Sequence, residues 1–311
     1  MIIYRAAELR SSVLNEEYVE LLSLLEKINH CNQYYELTDN CLIVSYDLKL
    51  NLFNFNNIMP LKVKVQIIGL PISLSQKGYI GDLNNVIKII KRRKGLKIIL
   101  NADKPIIEGA KTLSSFVFNN NFETFDDYLL KLRSSYRRRI NIALSKRSNL
   151  IIRKIQNSDF SENHYNLYLS IMKRTENPLE TLPIEYFIDY EAEIYEFMDK
   201  SNESIVGFIQ LKEFGDKLCF LFGGFYKDDV EKYDIYYNML LKIVDVGIKK
   251  RVKTIEFGQT AEESKLKIGC KEVYKYLYVH HSNSILNFII QSFLPIMSYK
   301  SYKTLHHVFK E

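Results

Sequence analysis

The fold is decided by the stretch Ile205–His281, which begins IVGFIQLKEFGDKLCFLFGGF and, from Thr254, continues TIEFGQTAEESKLKIG. In its first part, apolar runs at Ile205–Leu211 and Lys217–Phe225 lie on either side of a short turn that contains Gly215. Strand-forming residues around a short glycine-containing turn are typical of a β-hairpin. The first part therefore predicts two antiparallel strands.

A helix and three shorter elements follow the hairpin. Between Tyr233 and Lys250, apolar residues recur at intervals of three and four, which places one apolar stripe on one face of a helix. The elements predicted after it are a strand at Thr254–Phe257, a helix at Glu262–Ile268 that ends at Gly269, and a strand at Val273–His280. The predicted order is hairpin, helix, strand, short helix, strand.

Both this order and several residues resemble the GNAT acyltransferase superfamily. More narrowly, they resemble its branch for peptidoglycan biosynthesis or recognition, which is related to Fem-type aminoacyltransferases. The matching residues are Tyr236, Tyr237, Glu256, Gly258, Gln259, Glu263, Lys265, Gly269 and Tyr278-Val279-His280. The resemblance covers mainly residues 150–281. It implies a meander of antiparallel strands, a helix whose N-terminus receives the cofactor pyrophosphate, and a next strand parallel to the last of the meander.

The resemblance also implies a reaction. An acetyl or aminoacyl group moves from acyl-CoA or a similar donor to an amine, and the donor lies between two separated strands, here Lys217–Phe225 and Thr254–Phe257. Acyl transfer to an amine needs a base for the amine proton and hydrogen-bond donors for the carbonyl oxygen. Glu256 is the first candidate for the base, because it interrupts an apolar strand and burial makes a carboxylate a stronger base. A carboxylate that faces solvent or pairs with a lysine is the structural alternative.

Further site residues follow from the same resemblance. Besides Glu256, the predicted catalytic residues are Tyr237 and His280. The predicted cofactor-binding residues are Phe222, Gly223, Gly224, Phe225, Tyr233, Tyr236, Gln259 and Lys265. The glycine pair would let the backbone approach the donor closely, although glycine pairs also mark bulges.

One segment departs from the superfamily pattern. GNAT members commonly hold the pyrophosphate with a basic or Gln residue followed by a Gly-rich turn. Here the corresponding segment, Tyr226–Tyr233, reads YKDDVEKY, with no glycine and three acids. This departure weakens the case for acetyl-CoA or another acyl-CoA and leaves aminoacyl-tRNA, which suits Fem-type relatives, as the alternative donor.

The N-terminal half repeats the pattern of the C-terminal half. Its predicted elements are strands at Cys41–Tyr46, Lys49–Phe55, Val63–Gly69, Lys97–Asn101 and Phe116–Phe118, and a helix at Asp82–Arg93. The predicted fold class is α/β (α+β), with tandem GNAT-like domains, each a mixed, mostly antiparallel sheet flanked by helices. The predicted boundaries are an N-terminal domain at 1–122, a basic linking helix at 123–149, and a C-terminal domain with a closing helix at 150–311.

Three residues are candidates for substrate binding. Arg133 and Arg137 lie one turn apart in the helix predicted from Thr124, where two guanidinium groups suit a phosphate or carboxylate. A solvated helix face explains them equally well. Tyr186 follows Pro183 in a short predicted helix and would line an acceptor pocket, with core packing as the alternative.

The composition and the spacing of residues argue against a metal site and a membrane span. The four cysteines show no CxxC spacing, and His306-His307 lack partners at ligand spacing, so we expect no metal site. Without a signal-peptide pattern or an apolar run of about 20 residues, we expect a cytoplasmic protein with no membrane span. The basic residues are concentrated in Lys88–Lys97 and Lys131–Arg153, and such runs attract anions: the phosphates of a cofactor, a nucleic acid or a lipid head group. A solvated helix face is the commoner explanation for any single run. A catalytically silent GNAT-like protein that binds an anionic ligand or nucleic acid stays the alternative to an N-acyltransferase acting on a small-molecule or peptide amine.

Overall fold

The computed structural model describes residues 2–9, 16–29, 31–38, 40–51, 62–72, 74–175, 180–296, 298–300 and 304–310. Its strands are β1 Ile2–Ile3, β2 Gln33–Thr38, β3 Cys41–Asn51, β4 Lys62–Ile68, β5 Tyr79–Ile80, β6 Leu96–Ala102, β7 Gly109–Asn119, β8 Leu150–Ile155, β9 Glu193–Asp199, β10 Ile205–Phe214, β11 Lys217–Phe225, β12 Thr254–Glu256 and β13 Lys271–His281. Its α-helices are α1 Glu16–Ile28, α2 Leu83–Lys91, α3 Phe125–Lys131, α4 Ser134–Arg147, α5 Glu162–Met172, α6 Ile184–Asp189, α7 Asp229–Tyr233, α8 Ile235–Lys249, α9 Glu262–Lys267 and α10 Ser284–Phe293.

The chain divides into two compact units. The first comprises Met1–Ser114 and Tyr274–Ser301, and the second comprises Ser115–Val273 and Tyr302–Glu311. Residues 274–301 therefore belong with the N-terminal part of the chain. The predicted division at residues 122 and 149 and the tandem GNAT-like arrangement stay predictions.

The first unit is built on a mixed sheet. Strands β1 to β4 pair antiparallel in chain order, β4 pairs parallel with β6, and β6 pairs antiparallel with β13. Helix α2 begins at Asp82, whose carboxylate accepts hydrogen bonds from the amides of Asn84 and Asn85, as its residue type predicts. The helix buries Val86 and Ile90 in a core with Ile43 of β3 and other apolar residues of the sheet. The separate strands predicted at Cys41–Tyr46 and Lys49–Phe55 are wrong, since one strand, β3, runs through both as far as Asn51; residues 52–55 lie outside the described part.

In the second unit the strands pair side by side in the order β7, β12, β11, β10, β9, β8. Residues 254–256 of β12 pair antiparallel with 117–119 of β7, and β12 pairs parallel with β11. The remaining pairs are antiparallel. The hairpin of β10 and β11, the long helix α8 and the parallel strand β12 confirm the order predicted from Ile205–His281.

The basic helix predicted from Thr124 is two helices, so the prediction of one continuous helix is wrong. Thr124 does cap the first, since its hydroxyl accepts a hydrogen bond from the Asp127 amide. The chain then becomes extended at Leu132 and Arg133. There the Arg133 amide donates to the carbonyl oxygen of Val308 at 2.9 Å, and Leu132 forms a β-bridge with Phe309. This pairing with the C-terminal segment interrupts the helical hydrogen bonds.

Within the described residues, the helices all fall short of the length and apolar character that crossing a bilayer would demand.

Candidate functional site at the splayed strands

Strands β11 and β12 run side by side only at their beginning. Their parallel register joins Lys217 to Thr254, Leu218 to Ile255 and Cys219 to Glu256, and among the described residues it ends there. Strand β11 continues along β10 as far as Phe225.

After β12, the chain stays with β7 instead. The Phe257 amide donates to the carbonyl oxygen of Phe116 at 2.9 Å, and the Phe116 amide donates to that of Gly258 at 3.0 Å. The two strands therefore diverge beyond Cys219 and Glu256. We call this opening the splay.

A bulge in β11 coincides with the splay. The pairing with β10 passes from Leu211–Phe220 to Gln210–Phe222, which leaves Leu221 as an extra residue on β11. A bulge bends its strand and increases the local twist. It therefore accounts for part of the divergence, since Leu221 lies two residues beyond Cys219, the last residue of β11 that pairs with β12.

Gly223 and Gly224 lie on β11 beyond the bulge, and packing explains both. A Cβ atom on Gly223 would lie 2.8 Å from Met239 Cε of α8. One on Gly224 would lie 2.5 Å from Phe208 Cε1 and 2.6 Å from the backbone carbon of Leu167 on α5. Neighbouring residues of a strand face opposite sides of the sheet. The glycines therefore let α8 and α5 approach the two faces of β11, and their role in donor binding stays a prediction.

Glu256 lies at the closed end of the splay. Its side chain is 26% exposed, and its Oε1 lies 3.5 Å from the Lys217 ammonium nitrogen. Its other carboxylate oxygen lies 3.8 Å from the Cys219 sulfur. Glu256 is thus only partly covered and faces a lysine on the neighbouring strand, which is the structural alternative named from the sequence, and its role as the base stays a prediction.

A strained loop follows β12. Gly258, Thr260 and Ala261 have φ angles of 70°, 63° and 50°. Positive φ suits glycine but costs energy for alanine and more for a β-branched residue such as threonine. The loop therefore needs contacts that hold it in place.

Lys265 supplies such a contact from α9. Its ammonium nitrogen donates to the Gln259 carbonyl oxygen at 2.6 Å and lies 5.7 Å from the centre of the Phe116 ring. The side chain is only 2% exposed, and burial lowers the pKa of Lys265 to about 8. The structure thus places a buried amine beside the loop that leaves the splay.

The two tyrosines at the start of α8 have different surroundings. The Tyr236 ring contacts Phe225 at the end of β11, with a centroid distance of 5.7 Å. Burial raises the pKa of Tyr236 above its usual value, as do the nearby Cys270 and Glu262. Tyr236 therefore lies near both the open end of β11 and helix α9.

Tyr237 is a buried residue next to α4. The Arg139 guanidinium carbon lies 4.0 Å from the centre of its ring, and burial raises the pKa of Tyr237 to about 12. A phenol with such a pKa keeps its proton at neutral pH. It can donate a proton but is a poor base.

The N-terminus of α8 does not fit a pyrophosphate. Asp234 precedes the helix with a φ of 51°, and its carboxylate pairs with both terminal nitrogens of Arg139, one of them at 2.9 Å. A carboxylate thus lies where the helix end would attract an anion. The segment before it forms α7, and the Tyr233 hydroxyl donates to Asp199 at 2.6 Å. Tyr233 is therefore occupied with holding α7 to β9.

The remaining predicted residues lie elsewhere. Phe222 and Tyr186 are buried and pack against each other, with ring centroids 5.6 Å apart. His280 belongs to the first unit, where its Nδ1 lies 3.7 Å from Glu108, and burial lowers its pKa. Arg133 is exposed, and its Nε donates to the Phe309 carbonyl oxygen at 3.1 Å. Arg137 is half-buried on α4, which begins directly after Arg133.

A polar cluster that sequence reasoning missed lies at β8, β9 and α5. His164 Nε2 lies 2.9 Å from a carboxylate oxygen of Glu196, whose other oxygen accepts from Arg153. The Ser161 amide donates to His164 Nδ1 at 3.1 Å, so this nitrogen is an acceptor and the proton is on Nε2. The cluster lines a cavity of about 410 Å³. The sequence indicates this cluster only weakly. It shows a Ser-x-x-His pattern at the start of a helix, and Glu196 between the apolar residues of a strand.

No protein-family model matches the chain, and no curated protein matches it. Solved structures do. One is the C-terminal domain (DUF2156) of a proposed lysylphosphatidylglycerol synthetase from Agrobacterium fabrum, with a TM-score of 0.54 and 10% identity over 89% of this chain and 92% of that chain.

Two further structures are similar to a comparable degree. FemX has a TM-score of 0.53 and 10% identity over 90% of this chain and 94% of that chain. L-PGS from Bacillus licheniformis has a TM-score of 0.52 and 13% identity over 88% of this chain and 96% of that chain. The chain has a GNAT-type fold. The likeness is one of fold, and it confirms the GNAT and Fem-type resemblance at that level.

The divergence of β11 and β12 corresponds to a feature that the resemblance to the GNAT fold predicts. The resemblance implied two central parallel strands that separate to receive the donor, and the structure has such a pair at the positions predicted. That a donor binds between these strands stays a prediction.

Proposed function

We propose that this protein is an N-acyltransferase that receives an activated acyl group in the splay and transfers it to an amine. The observation that carries the proposal is the divergence of β11 from β12 after Cys219 and Glu256. Past this point in the described residues, the main-chain groups of the two strands no longer pair with each other. Preorganised main-chain donors stabilise the oxygen of an acyl group as it gains charge.

We assign a role in this reaction to three side chains. The amine nitrogen attacks the acyl carbon, a carbon–nitrogen bond forms, and the bond to the donor's oxygen or sulfur breaks. Glu256 takes the proton that the amine loses. Tyr236, at the open end of β11, contacts the donor beyond its acyl group, and the leaving group takes its proton from solvent. Lys265 fixes the Gly258–Ala261 loop and adds positive charge near the acyl oxygen.

The site favours an aminoacyl ester such as aminoacyl-tRNA over acyl-CoA as donor. Asp234, paired with Arg139, holds the helix N-terminus at which a CoA pyrophosphate would bind. An ester whose phosphates lie farther from the acyl carbon avoids this carboxylate. Exposed basic residues on α4, such as Arg138, suit a polyanionic donor.

A transfer assay with the purified full chain tests the proposal. tRNA charged with labelled amino acids is mixed with lysine, a lysine-containing peptide or an amino sugar, and amide product is measured. We expect product with charged tRNA, and none with acetyl-CoA at equal concentration. Melting temperatures with acetyl-CoA and with CoA report donor binding separately, since a ligand of the folded state raises the melting temperature.

The outcomes separate the alternatives. Transfer from acetyl-CoA would keep the acyltransferase and reject the donor assignment. A chain that binds charged or uncharged tRNA but transfers nothing from any donor would be a binding protein, and the proposed reaction would be wrong.

A further inference from the structure

Helix α10 in the first unit has its apolar side chains on the outside. The side chains of Ile285, Phe288 and Ile296, the last just beyond the helix, are 70%, 74% and 79% exposed. The other large apolar residues exposed in this segment are Leu286, Ile289 and Phe293. We call these six residues the α10 face.

The inner side of α10 is held largely by polar groups. Asn287 accepts a hydrogen bond from the His281 amide at 2.9 Å, and Gln291 donates to the Val279 carbonyl oxygen at 2.6 Å. Among the described residues of this segment, Ile290 and Leu294 are the ones that join the apolar core of the unit. A helix on the surface of a globular protein normally has the opposite arrangement, with apolar residues inward. The apolar side chains of the α10 face are therefore not needed for attachment of the helix.

Basic groups frame the helix at both ends. Just before α10, Ser282 forms two hydrogen bonds with the backbone of Gly95. Arg92 and Lys94, shortly before Gly95 in the chain, are both exposed. At its end, the Tyr299 amide donates to the Lys111 carbonyl oxygen at 2.9 Å, and Lys300 is exposed.

The sequence around α10 is free of acids. From Tyr274 to Ser301, the part of this segment that belongs to the first unit, the chain contains two lysines and two histidines and no Asp or Glu. An apolar helix face within a basic surround is complementary to one partner, an anionic lipid surface, where apolar side chains enter the headgroup region and cations meet lipid phosphates.

We propose that α10 docks the protein on an anionic membrane surface, with the α10 face in the interface and the basic residues at its ends on lipid headgroups. The helix lies in the plane of the surface. This docking belongs to the first unit and does not depend on the transfer chemistry assigned to the splay.

Vesicle flotation with the full-length chain tests the docking. We expect the protein to float with vesicles of phosphatidylcholine mixed with phosphatidylglycerol, and to do so much less with phosphatidylcholine alone or at high salt, which screens the basic residues. The double variant Ile285→Ser/Phe288→Ser removes two of the most exposed apolar side chains and should lower vesicle partitioning at least about tenfold. Because both residues are exposed, its melting temperature should stay within about 2 °C of the wild type.

A matched variant controls for loss of surface apolarity in general. Leu130→Ser, on α3 in the other unit, removes a side chain that is 63% exposed and should leave partitioning unchanged. Size-exclusion chromatography with light scattering, without vesicles, reports whether a second copy covers the α10 face. Absence of flotation, equal flotation of the double variant, or a wild-type dimer that the double variant dissociates would each overturn the membrane assignment.

Discussion

The Lys265 ammonium nitrogen donates a 2.6 Å hydrogen bond to the carbonyl oxygen of Gln259, in the middle of a loop with three positive φ angles. The bond connects α9 to the exit of β12 and buries a cation beside the splay. The energetic cost of that burial and the benefit to the reaction can be measured separately.

The stability cost of burying Lys265 predicts a pH dependence. Burial lowers its pKa from 10.5 to about 8, so between these pH values the unfolded chain binds more protons than the folded one. The free energy of unfolding should therefore rise with pH across this window, by up to about 3 kcal/mol from this one group. In Lys265→Met the rise should be absent, as measured by urea unfolding at pH 7.5 to 10. Lys267→Met, which removes a more exposed neighbour paired with Glu263, should keep the wild-type rise; equal slopes in all three proteins would refute the buried cation.

The same variant tests the role of Lys265 in transfer. Lys265→Met should lower kcat by about 100-fold, because it removes a preorganised positive group and the anchor of the Gly258–Ala261 loop. Substrate binding should change less than turnover if the charge acts mainly as the acyl oxygen gains charge. Initial rates over a range of donor concentrations separate the two parameters. Normal turnover in a folded Lys265→Met protein would remove Lys265 from the reaction.

Glu256→Gln tests the proposed base. The amide has the same shape as the carboxylate but accepts no proton at neutral pH, so kcat/KM should fall by about 100-fold or more. Glu213→Gln is the matched control: Glu213 lies on β10 and pairs with Lys250, and its loss should leave the rate unchanged. If Glu256→Gln turns over normally, the amine loses its proton to another group or to water.

Gly224→Ala tests whether the glycine pair is there for packing. Its Cβ would press on Phe208 and on the backbone of α5, and a backbone atom cannot move aside cheaply. We expect a loss of about 1–3 kcal/mol in the free energy of unfolding, measured by urea titration. Gly69→Ala, whose Cβ would meet its nearest atoms at ordinary contact distances of 3.5–3.6 Å, is the control and should cost much less. A stable Gly224→Ala protein would mean that α5 adjusts readily.

Local patterns were enough to predict the elements that frame the splay. The runs on either side of Gly215 predicted the β10–β11 hairpin, and the spacing of apolar residues predicted α8, because each depends on neighbours close in sequence. The parallel pairing of β12 with β11 could be predicted only from the family resemblance. The residues Thr254–Phe257 indicate a strand but not which strand it pairs with.

What the sequence did not predict depends on contacts between distant residues. The break between α3 and α4 arises from hydrogen bonds of Arg133 with Val308 and Phe309, about 175 positions along the chain. The contact of Glu256 with Lys217 depends on β12 lying beside β11, which brings together residues 39 positions apart. The pairing of Asp234 with Arg139 is likewise not apparent from the sequence, because the two residues are 95 positions apart.

The buried pair of His164 and Glu196 predicts a second, acid-side pH dependence. Burial is the main influence on His164 and lowers its pKa below 6.5, although Glu196 acts in the opposite direction. As pH falls through 6.5, the unfolded chain therefore takes up a proton before the folded chain does, and the free energy of unfolding decreases. In His164→Gln this contribution disappears, so stability should decline less steeply between pH 7 and 5, as followed by thermal unfolding. Carboxylates elsewhere contribute equally to both proteins, so the difference between the two slopes isolates His164. A steeper decline in the variant would mean that Glu196 prevails over burial and that the pair is a charged one at neutral pH.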